Sequence, residues 1–324
     1  MNLIVQIPAY NEAGSLPAAI ADIPREIPGV ESVRVLVVDD GSSDGTETVA
    51  REAGADHVVR HTKNRGLARA FRTGLDTCLE LGADIIVNTD ADNQYVGADI
   101  PKLVQPILEG RADVVIGDRQ TGTIAGFSWI KKLLQRLGSG VVRRLSGTKV
   151  PDAVSGFRAL SRSAALKLNI VTSFSYTIET VIQAGHDGMA VVSVPIGVNP
   201  DVRPSRLSKS IPQFVVRSVT TMVRSYTMYQ PLKVFTFVGT VIFVAGLVPV
   251  ARFLYFYFTD GGGGHLQSLI LGGVLILIGF TTFTVGLVAD LIDSNRKLIE
   301  SLLEKVRKLE LANQSATRRS KLDD

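Results

Sequence analysis

Asp90, Asp92 and Gln94 are the residues whose types and spacing are best suited to chemistry. They follow residues 83–87, a short and mostly apolar run that predicts a buried parallel strand, so they fall at its carboxyl end. In extended backbone, alternate side chains point to the same face. Carboxylate and amide oxygens suit Mg²⁺ or Mn²⁺ held against a diphosphate. The spacing predicts a metal site, although a solvated turn would explain an Asp-x-Asp pair taken alone.

A second acidic pair, Asp39 and Asp40, ends another predicted strand and precedes Gly41, which permits a sharp turn. Ser43 or Asp44 can cap the helix that follows. Capping does not explain the pair itself, because adjacent carboxylates repel unless a cation or hydrogen-bond donors lie beside them. The sequence contains neither the glycine-rich dinucleotide fingerprint nor a P-loop. A bound nucleotide is therefore expected to be held by carboxylates and metal.

Two basic stretches lie between the acidic motifs and the apolar half of the chain. Lys63 and Arg65 oppose the helix dipole at the start of a predicted helix, beside the small Gly66, which favours a phosphate nearby. Residues 128–146 have apolar residues at helical spacing and several basic ones, which predicts a membrane-surface helix or a cover over an anion. Asp152 follows as a lone carboxylate, for which a structural turn is the default interpretation.

The elements that would position these residues alternate between short strands and amphipathic helices. This alternation predicts an α/β fold with a mostly parallel sheet, in which ligands gather at the carboxyl ends of the strands. The predicted strands occupy residues 3–7, 33–38, 57–60, 84–89, 112–117 and 189–195. The predicted helices occupy residues 14–23, 44–53, 65–81, 98–109 and 173–185.

The composition indicates a membrane protein. Hydrophobic residues make up 45% of the 324 residues, and the excess lies after Pro231. Residues 232–251 and 266–289 are each long enough to cross hydrocarbon; two buried core helices would need a larger partner surface than the other residues supply.

The net charge of +4 is too small to indicate nucleic acid but is compatible with anionic lipid. The single cysteine, Cys78, excludes an internal disulfide and fits a reducing compartment.

Charges around the apolar segments predict their orientation. The link at residues 259–265 has no Lys or Arg, whereas both outer flanks are basic, so the amino-terminal domain and the tail are expected in the cytoplasm. Met1 begins a predicted strand and not a signal peptide. The predicted organisation is a domain over 1–210, an amphipathic interface helix over 211–230, two transmembrane helices over 231–290 with a short non-cytoplasmic loop, and a helical tail over 291–324.

The tail has residues at alternating spacings of three and four, which is the coiled-coil pattern. These residues are Ile292, Asn295, Ile299, Leu302, Val306, Leu309 and Asn313. Three heptads are marginal for an isolated helix. Self-association into a homo-oligomer and a solvated amphipathic helix are therefore the two interpretations.

Five motifs in order resemble those of family 2 glycosyltransferases of the GT-A fold, which is Rossmann-like. They are Pro8–Glu12, Val38–Ser42, Asn64–Gly66, Asp90–Gln94 and Ser155–Arg158. More narrowly, residues 1–210 resemble the polyprenyl-phosphate glycosyltransferases, which include dolichyl-phosphate mannose synthase and bacterial undecaprenyl-phosphate sugar transferases. The resemblance implies a nucleotide-sugar donor, a polyprenyl phosphate acceptor and Mg²⁺ or Mn²⁺. Asn93 and residues 95–97 depart from the mannose synthases, so a mannose donor is not implied.

The resemblance also implies roles for individual residues. The residues expected at the nucleotide sugar are Pro8, Tyr10, Glu12, Asp39, Asp40, Lys63, Gly66, Asp90, Ala91, Arg203 and Arg206, the last two on a mobile basic loop. The metal ligands would be Asp90, Asp92 and Gln94. The acceptor phosphate would lie near Arg119, Arg136 and Ser139. Asp92, Arg119 and Asp152 are the expected catalytic residues.

A lipid phosphate is already an anion at neutral pH, so it needs no strong base to attack the sugar. The remaining task is to neutralise the leaving diphosphate and to align two anions, which metal and basic groups accomplish. A single displacement would invert the anomeric carbon. Asp152 could orient the acceptor or act as a base.

Three other functions fit parts of the sequence. A transferase acting on a lipid hydroxyl such as diacylglycerol would need a base and would make Asp152 essential. A processive polysaccharide synthase would carry a Gln-x-x-Arg-Trp motif, but the only tryptophan is Trp129, in Ser-Trp-Ile. A silent nucleotide-sugar-binding scaffold would not need Asp90, Asp92 and Gln94, which are all present.

Overall fold

The computed structural model describes most of the chain. The described ranges are residues 1–120, 139–144, 146–170, 176–199, 230–260 and 265–323, with the separate positions 216, 219–220, 223–224 and 226–227. Arg136, Arg203, Arg206 and most of the predicted helices 128–146 and 211–230 lie outside the described residues. The chain divides into two compact units, residues 1–222 with 303–324, and residues 223–302.

The first unit is built on one sheet. Its described strands are β1 (Asn2–Ala9), β2 (Ser32–Asp39), β3 (His57–Arg60), β4 (Ile85–Asn88), β5 (Val114–Asp118), β6 (Arg158–Ser161) and β7 (Val191–Pro195). Their order across the sheet is β3-β2-β1-β4-β6-β5-β7. All neighbouring pairs are parallel except the two made by β6. The predicted mostly parallel α/β sheet is confirmed.

Helices connect the strands and cover the sheet. They are α1 (Leu16–Ala21), α2 (Thr46–Glu52), α3 (Leu67–Glu80), α4 (Ile100–Leu108), α5 (Arg162–Lys167) and α6 (Tyr176–His186). The helices α1 to α4 each begin two residues later than predicted, because capping and turn residues precede the first helical residue. Fully buried apolar residues of β1, β2 and β4 form the centre of the core with the inner faces of α1 and α4.

Neither β6 nor α5 was predicted from the sequence. The strand β6 lies between β4 and β5 and runs antiparallel to both. It begins with Arg158, whose side chain is completely buried. A buried arginine at the start of a four-residue strand gives no apolar alternation, which explains why this segment resembled a loop.

The register of the central strands brings the acidic motifs to one edge. Ala9 at the end of β1 pairs with Asp39 of β2, and Gln6 pairs with Asn88 of β4. Because β1 lies between β2 and β4, the segments that follow all three strands emerge at the same edge of the sheet. Ligands bind at this edge in open α/β sheets.

The second unit is a helical hairpin of α7 (Pro231–Asp260) and the first part of α8 (Leu266–Asp323). Both helices are long and apolar enough to cross a membrane, with hydropathies of 2.3 and 2.2 in their candidate spans. Glycines seven residues apart line their contact: Gly239 and Gly246 on α7, and Gly272, Gly279 and Gly286 on α8. A Cβ on Gly239 would lie 2.9 Å from the Gly279 carbonyl oxygen, so glycine permits the close approach of the two backbones.

The helix α8 continues without a break from the second apolar segment into the predicted tail, over 58 residues. Its last part belongs to the first unit and contacts that unit through Arg307. The guanidinium donates to the carbonyl oxygens of Leu166 and Leu168, at 3.2 Å each. These carbonyls close the end of α5, so the tail helix is docked beside α5.

Candidate active site

The floor of the site is a buried hydrogen-bond network at the end of β4. Asn88 accepts a hydrogen bond from the Gln6 side chain at 3.0 Å and donates to the Gly156 carbonyl at 2.8 Å and to the Tyr176 hydroxyl at 3.1 Å. These contacts join β1, β4, α6 and the loop before β6. Asp90, the first residue of the acidic motif, follows Asn88 by two positions, so this network anchors the chain just before the motif.

The loop before β6 approaches Asp90 so closely that only glycine fits. A Cβ on Gly156 would lie 2.8 Å from Asp90 Oδ1 and 3.0 Å from the Tyr176 hydroxyl. The Gly156 N–H donates to the Tyr95 hydroxyl at 2.9 Å, and Tyr95 in turn hydrogen-bonds the Asp90 carboxyl. Gly156 and Tyr95 therefore set the position of Asp90.

The two aspartates of the motif repel each other. Burial raises the pKa of Asp90 to about 7, and the negative charge of Asp92 adds to the rise, while Arg119, Arg158 and the hydrogen bond from Tyr95 oppose it. Burial and the nearby Asp90 also raise the pKa of Tyr95 to about 12, so the phenol stays neutral. Burial and the charge of Asp92 thus disfavour an ionised Asp90 in this arrangement, and a cation would favour it.

A turn holds the second aspartate. Asp92 Oδ1 accepts from the Gln94 N–H at 3.1 Å, and Asn93 between them has a left-handed φ of 56°. Asn199 fastens the same segment: its N–H donates to the Gln94 carbonyl at 2.8 Å and its side chain to the Asn93 carbonyl at 3.0 Å. The turn is thereby fixed by a residue more than a hundred positions away.

The donor chemistry of Asp90, Asp92 and Gln94 fits a hard divalent cation. Two carboxylates and an amide supply oxygen ligands. Burial, with the charge of Asp92, raises the pKa of Asp90, and a bound cation would lower it. Among the described residues, His, Cys, Asp and Glu nowhere form a group of three or more suited to a metal. A metal at this place would therefore complete its coordination with phosphate oxygens and water, as Mg²⁺ does with nucleotides.

In the acidic pair at the end of β2, protein donors satisfy both carboxylate oxygens of Asp40. Asp40 is buried; Oδ1 accepts from the Arg65 N–H at 2.9 Å and lies 2.7 Å from His61 Nδ1, and Oδ2 accepts from the Gly66 N–H at 2.8 Å. Asp40 thus holds the start of α3. Asp39 Oδ1 accepts from the Ser42 N–H at 2.9 Å, and Arg60 Nε lies 3.4 Å from its buried Oδ2.

The loop after β1 packs on the loop after β2. The Asn11 N–H donates to Ser42 Oγ and the Ser43 N–H to Asn11 Oδ1, each at 2.9 Å. The Glu12 N–H donates to Thr46 Oγ1 at 3.0 Å. In this loop Pro8 is buried, whereas the Tyr10 ring is 46% exposed and open to a ligand. Lys63 is exposed on the adjoining loop.

Asp152 does not form an isolated turn. It is buried and makes a bidentate ion pair with Arg119, with Nε–Oδ2 at 2.7 Å and Nη2–Oδ1 at 3.0 Å. Arg119 follows β5, and its charge also acts on Asp90. Ser139 is buried, and its hydroxyl has no hydrogen-bond partner among the described residues. The structure thus places Arg119 and Asp152 together; Arg136 lies outside the described residues.

Arg158, Tyr176, Tyr95 and Asn199 support the site but were not assigned roles from the sequence. The buried Arg158 guanidinium donates to Ser155 O and Thr180 Oγ1, and it lies 5.5 Å from the Tyr176 ring centre. Tyr95 stacks on Phe157 with ring centres 5.0 Å apart. The sequence held a signal for Tyr95, which directly follows Gln94, and for Arg158, which ends the fifth motif. Tyr176 and Asn199 are distant in sequence and meet the motif only in the folded chain.

Comparison with known proteins identifies related sequences. A family model described as "Glycosyl transferase family 2" matches residues 4–168. The polyprenol monophosphomannose synthase of Mycolicibacterium smegmatis is 33% identical over 60% of this chain and 76% of its own length. The undecaprenyl-phosphate mannosyltransferase of Micrococcus luteus is 31% identical over 68% of this chain and 93% of its own.

A solved structure confirms the fold. Glucosyl-3-phosphoglycerate synthase from Mycobacterium tuberculosis, crystallised with Mn²⁺, uridine diphosphate and glucosyl-3-phosphoglycerate, matches with a TM-score of 0.54 and 24% identity. The match covers 68% of this chain and 79% of the synthase chain. It supports the GT-A architecture predicted from the five motifs.

Proposed function

Because the chain belongs to glycosyl transferase family 2, we propose that it transfers a sugar from a nucleotide sugar to a polyprenyl phosphate at a membrane. The observation that carries the proposal is the Asp90–Asp92 pair at a sheet edge, where the pKa of Asp90 stays raised to about 7 although the charges of Arg119 and Arg158 oppose the rise. The two curated relatives named above are mannosyl transferases of polyprenol-type phosphates. Two apolar helices suited to a membrane support a lipid acceptor.

The donor diphosphate would lie above the end of β4. Asp90, Asp92 and Gln94 would hold Mg²⁺ or Mn²⁺, which when bound would neutralise charge on the leaving nucleoside diphosphate. Pro8, Tyr10, Glu12 and Asp39 would contact the base and ribose, since their loops adjoin at the same edge. Lys63, Gly66 and the main chain at Ala91 would line the donor site, and Arg203 and Arg206 would reach the diphosphate.

The acceptor phosphate would be bound by Arg119, Arg136 and Ser139. Asp152 engages Arg119 through both carboxylate oxygens, which favours positioning of the guanidinium over proton abstraction. A lipid phosphate needs no base, so this arrangement supports a phosphate acceptor over a hydroxyl of diacylglycerol. The attack would displace the nucleoside diphosphate from the opposite face of the sugar, with inversion at the anomeric carbon.

The catalytic unit, by which we mean residues 1–210, and the tail would face the cytoplasm. The flanks of the apolar segments carry Arg217, Arg224, Lys233, Arg296 and Lys297, whereas the link between the segments has no Lys or Arg. A soluble nucleotide sugar and the lipid phosphate would then meet on that side.

The test uses the full chain in lipid nanodiscs with Mg²⁺ or Mn²⁺. Undecaprenyl phosphate and, separately, diacylglycerol are incubated with a panel of nucleotide sugars, and products are identified by mass. The proposal predicts a sugar phosphate lipid from one donor and no glycosylated diacylglycerol. A product on diacylglycerol alone, abolished by Asp152→Asn, would overturn it. Anomeric configuration of the product, read by NMR, tests inversion.

A further inference from the structure

The apolar stripe of the tail lies on the exposed face of α8. We name this stripe the tail seam; it comprises Ile292, Ile299, Leu302, Val306 and Leu309. All five side chains are exposed, and three of them, Leu302, Val306 and Leu309, have exposed fractions of 60%, 48% and 71%. Contiguous exposed apolar surface of this kind marks an interaction site.

The chain's own catalytic unit contacts a different face of the same helix. The Arg307 side chain is only 18% exposed. It donates to the carbonyls of Leu166 and Leu168, and its Nη2 lies 3.8 Å from Asp76 Oδ1. Glu304 and Leu311, on the same face, are also partly covered. Docking within the first unit therefore leaves Val306 and Leu309 of the tail seam uncovered.

The residue types of the tail seam select a two-stranded assembly. If Ile292 is taken as heptad position a, then Ile299, Val306 and Asn313 are also a positions, and the d positions are Asn295, Leu302 and Leu309. β-branched residues at a with leucine at d favour parallel dimers, and a polar Asn at one a position, here Asn313, specifies the register. The pattern is that of a dimer and not of a trimer or tetramer.

The flanking positions are complementary in a parallel pair. Position g of one helix meets position e of the next heptad on its partner. Here Lys305 at g would face Glu310 of the second copy at e, and Leu298 would face Leu303 in the same way. An opposite-charge contact and an apolar contact therefore both support the parallel register.

Membrane anchoring requires the same orientation independently. Both copies insert in one membrane with the same topology, and α8 continues without interruption from its apolar segment into the tail. Two such tails that meet side by side must run parallel. We propose that the tail seam joins two copies of this chain in a parallel two-stranded coiled coil, with a catalytic unit docked on the outer side of each helix.

The first test places one cysteine on the tail in nanodisc-embedded full-length protein. Cys78 is buried and does not compete. Leu309→Cys, on the tail seam, should cross-link to a dimer with a short bismaleimide, whereas Ser301→Cys, exposed at position c, should not. The proposal is overturned if both variants stay monomeric, or if both cross-link equally. A chain whose tail instead binds lipid or another protein would stay monomeric in both variants.

The second test reverses charges. Lys305→Glu and Glu310→Lys should each reduce the dimer fraction of Leu309→Cys severalfold, and the two changes together should restore it. Lys308→Glu, at position c, serves as the control and should leave the dimer unchanged. Because these side chains are exposed, none of the changes should prevent folding. Equal dimer fractions in all variants would contradict the parallel register.

Discussion

The two acidic strand ends of the catalytic unit look alike in sequence but differ in how their charge is balanced. At the end of β2, Asp40 receives two backbone N–H groups and approaches His61, so the protein itself stabilises the carboxylate. At the end of β4, burial raises the pKa of Asp90 to about 7, and the negative charge of Asp92 adds to the rise. Asp40 thus holds a loop, and Asp90 and Asp92 are the pair that we propose binds a cation.

The comparison explains why both pairs can lie at one sheet edge. Backbone N–H groups stabilise the Asp40 carboxylate, whereas the Asp90 carboxyl is buried beside the charge of Asp92. The neighbouring cations, Arg119 and Arg158, lower the pKa of Asp90 without removing its rise. A change at Asp40 should therefore mainly lower stability, whereas a change at Asp92 should mainly lower metal binding.

The largest expected effect follows Asp92→Asn. Removal of a direct ligand should lower sugar transfer by more than about 100-fold, since loss of supporting contacts alone costs about 10–100-fold at metal sites. The metal-free variant should unfold at the same or higher temperature than the parent, because a repulsion disappears. Transfer assays measure the loss of activity, Mn²⁺ titration measures the loss of metal affinity, and thermal unfolding measures the stability of the metal-free variant.

A matched control for that change is Glu26→Gln, an exposed carboxylate. It should alter neither Mn²⁺ affinity nor transfer. Normal turnover of Asp92→Asn would remove the metal assignment.

Gly156→Ala should have the next largest effect. The added methyl group would lie 2.8 Å from Asp90 Oδ1, so the carboxylate must move. Mn²⁺ affinity and transfer should both fall by about 10–100-fold. The control is Gly273→Ala, where a Cβ would meet nothing within 4 Å. Unchanged Mn²⁺ affinity in Gly156→Ala would show that Asp90 does not bind metal.

Asp40→Asn should mainly reduce stability. It replaces a carboxylate oxygen with an amide that cannot accept from both Arg65 and Gly66, at a cost of about 1–3 kcal/mol in the free energy of unfolding. Mn²⁺ affinity should change far less than in Asp92→Asn. Urea unfolding and hydrogen exchange at residues 65–66 test this, and a large loss of Mn²⁺ affinity with normal stability would reverse the assigned roles.

Asn199→Ala should give the smallest effect, because it removes side-chain donation to the Asn93 carbonyl but keeps the N–H bond to Gln94. Transfer and Mn²⁺ affinity should fall by about tenfold or less, the lower end for supporting contacts. Asn169→Ala, remote from the motif, is the control for loss of a buried amide. If Asn199→Ala lowered Mn²⁺ affinity as much as Asp92→Asn does, then the shape of the turn, and not the set of ligands, would control Mn²⁺ binding.

Sequence patterns were sufficient for the strands β1 to β5 and for β7, because buried parallel strands are apolar runs bounded by turn residues. They also predicted the two apolar helices, whose composition alone separates them from the rest. They failed for β6, since Arg158 is buried through hydrogen bonds to residues on α6 that no local pattern reveals. Asp152 seemed an ordinary turn residue because Arg119, its partner, is 33 positions away.

The sequence by itself determined which residues could bind a metal or phosphate and which segments could cross a membrane. The order of the motifs, the acidic pairs and the apolar segments are properties of residue type and spacing. Only the tertiary structure decided that protein donors already satisfy Asp40, that Asp152 engages Arg119, and that Gly156 and Asn199 contact the Asp90–Gln94 segment. It also decided which face of α8 the catalytic unit covers. The physical reason is that charge balance and hydrogen-bond satisfaction depend on neighbours in space, and folding brings those neighbours from distant parts of the chain.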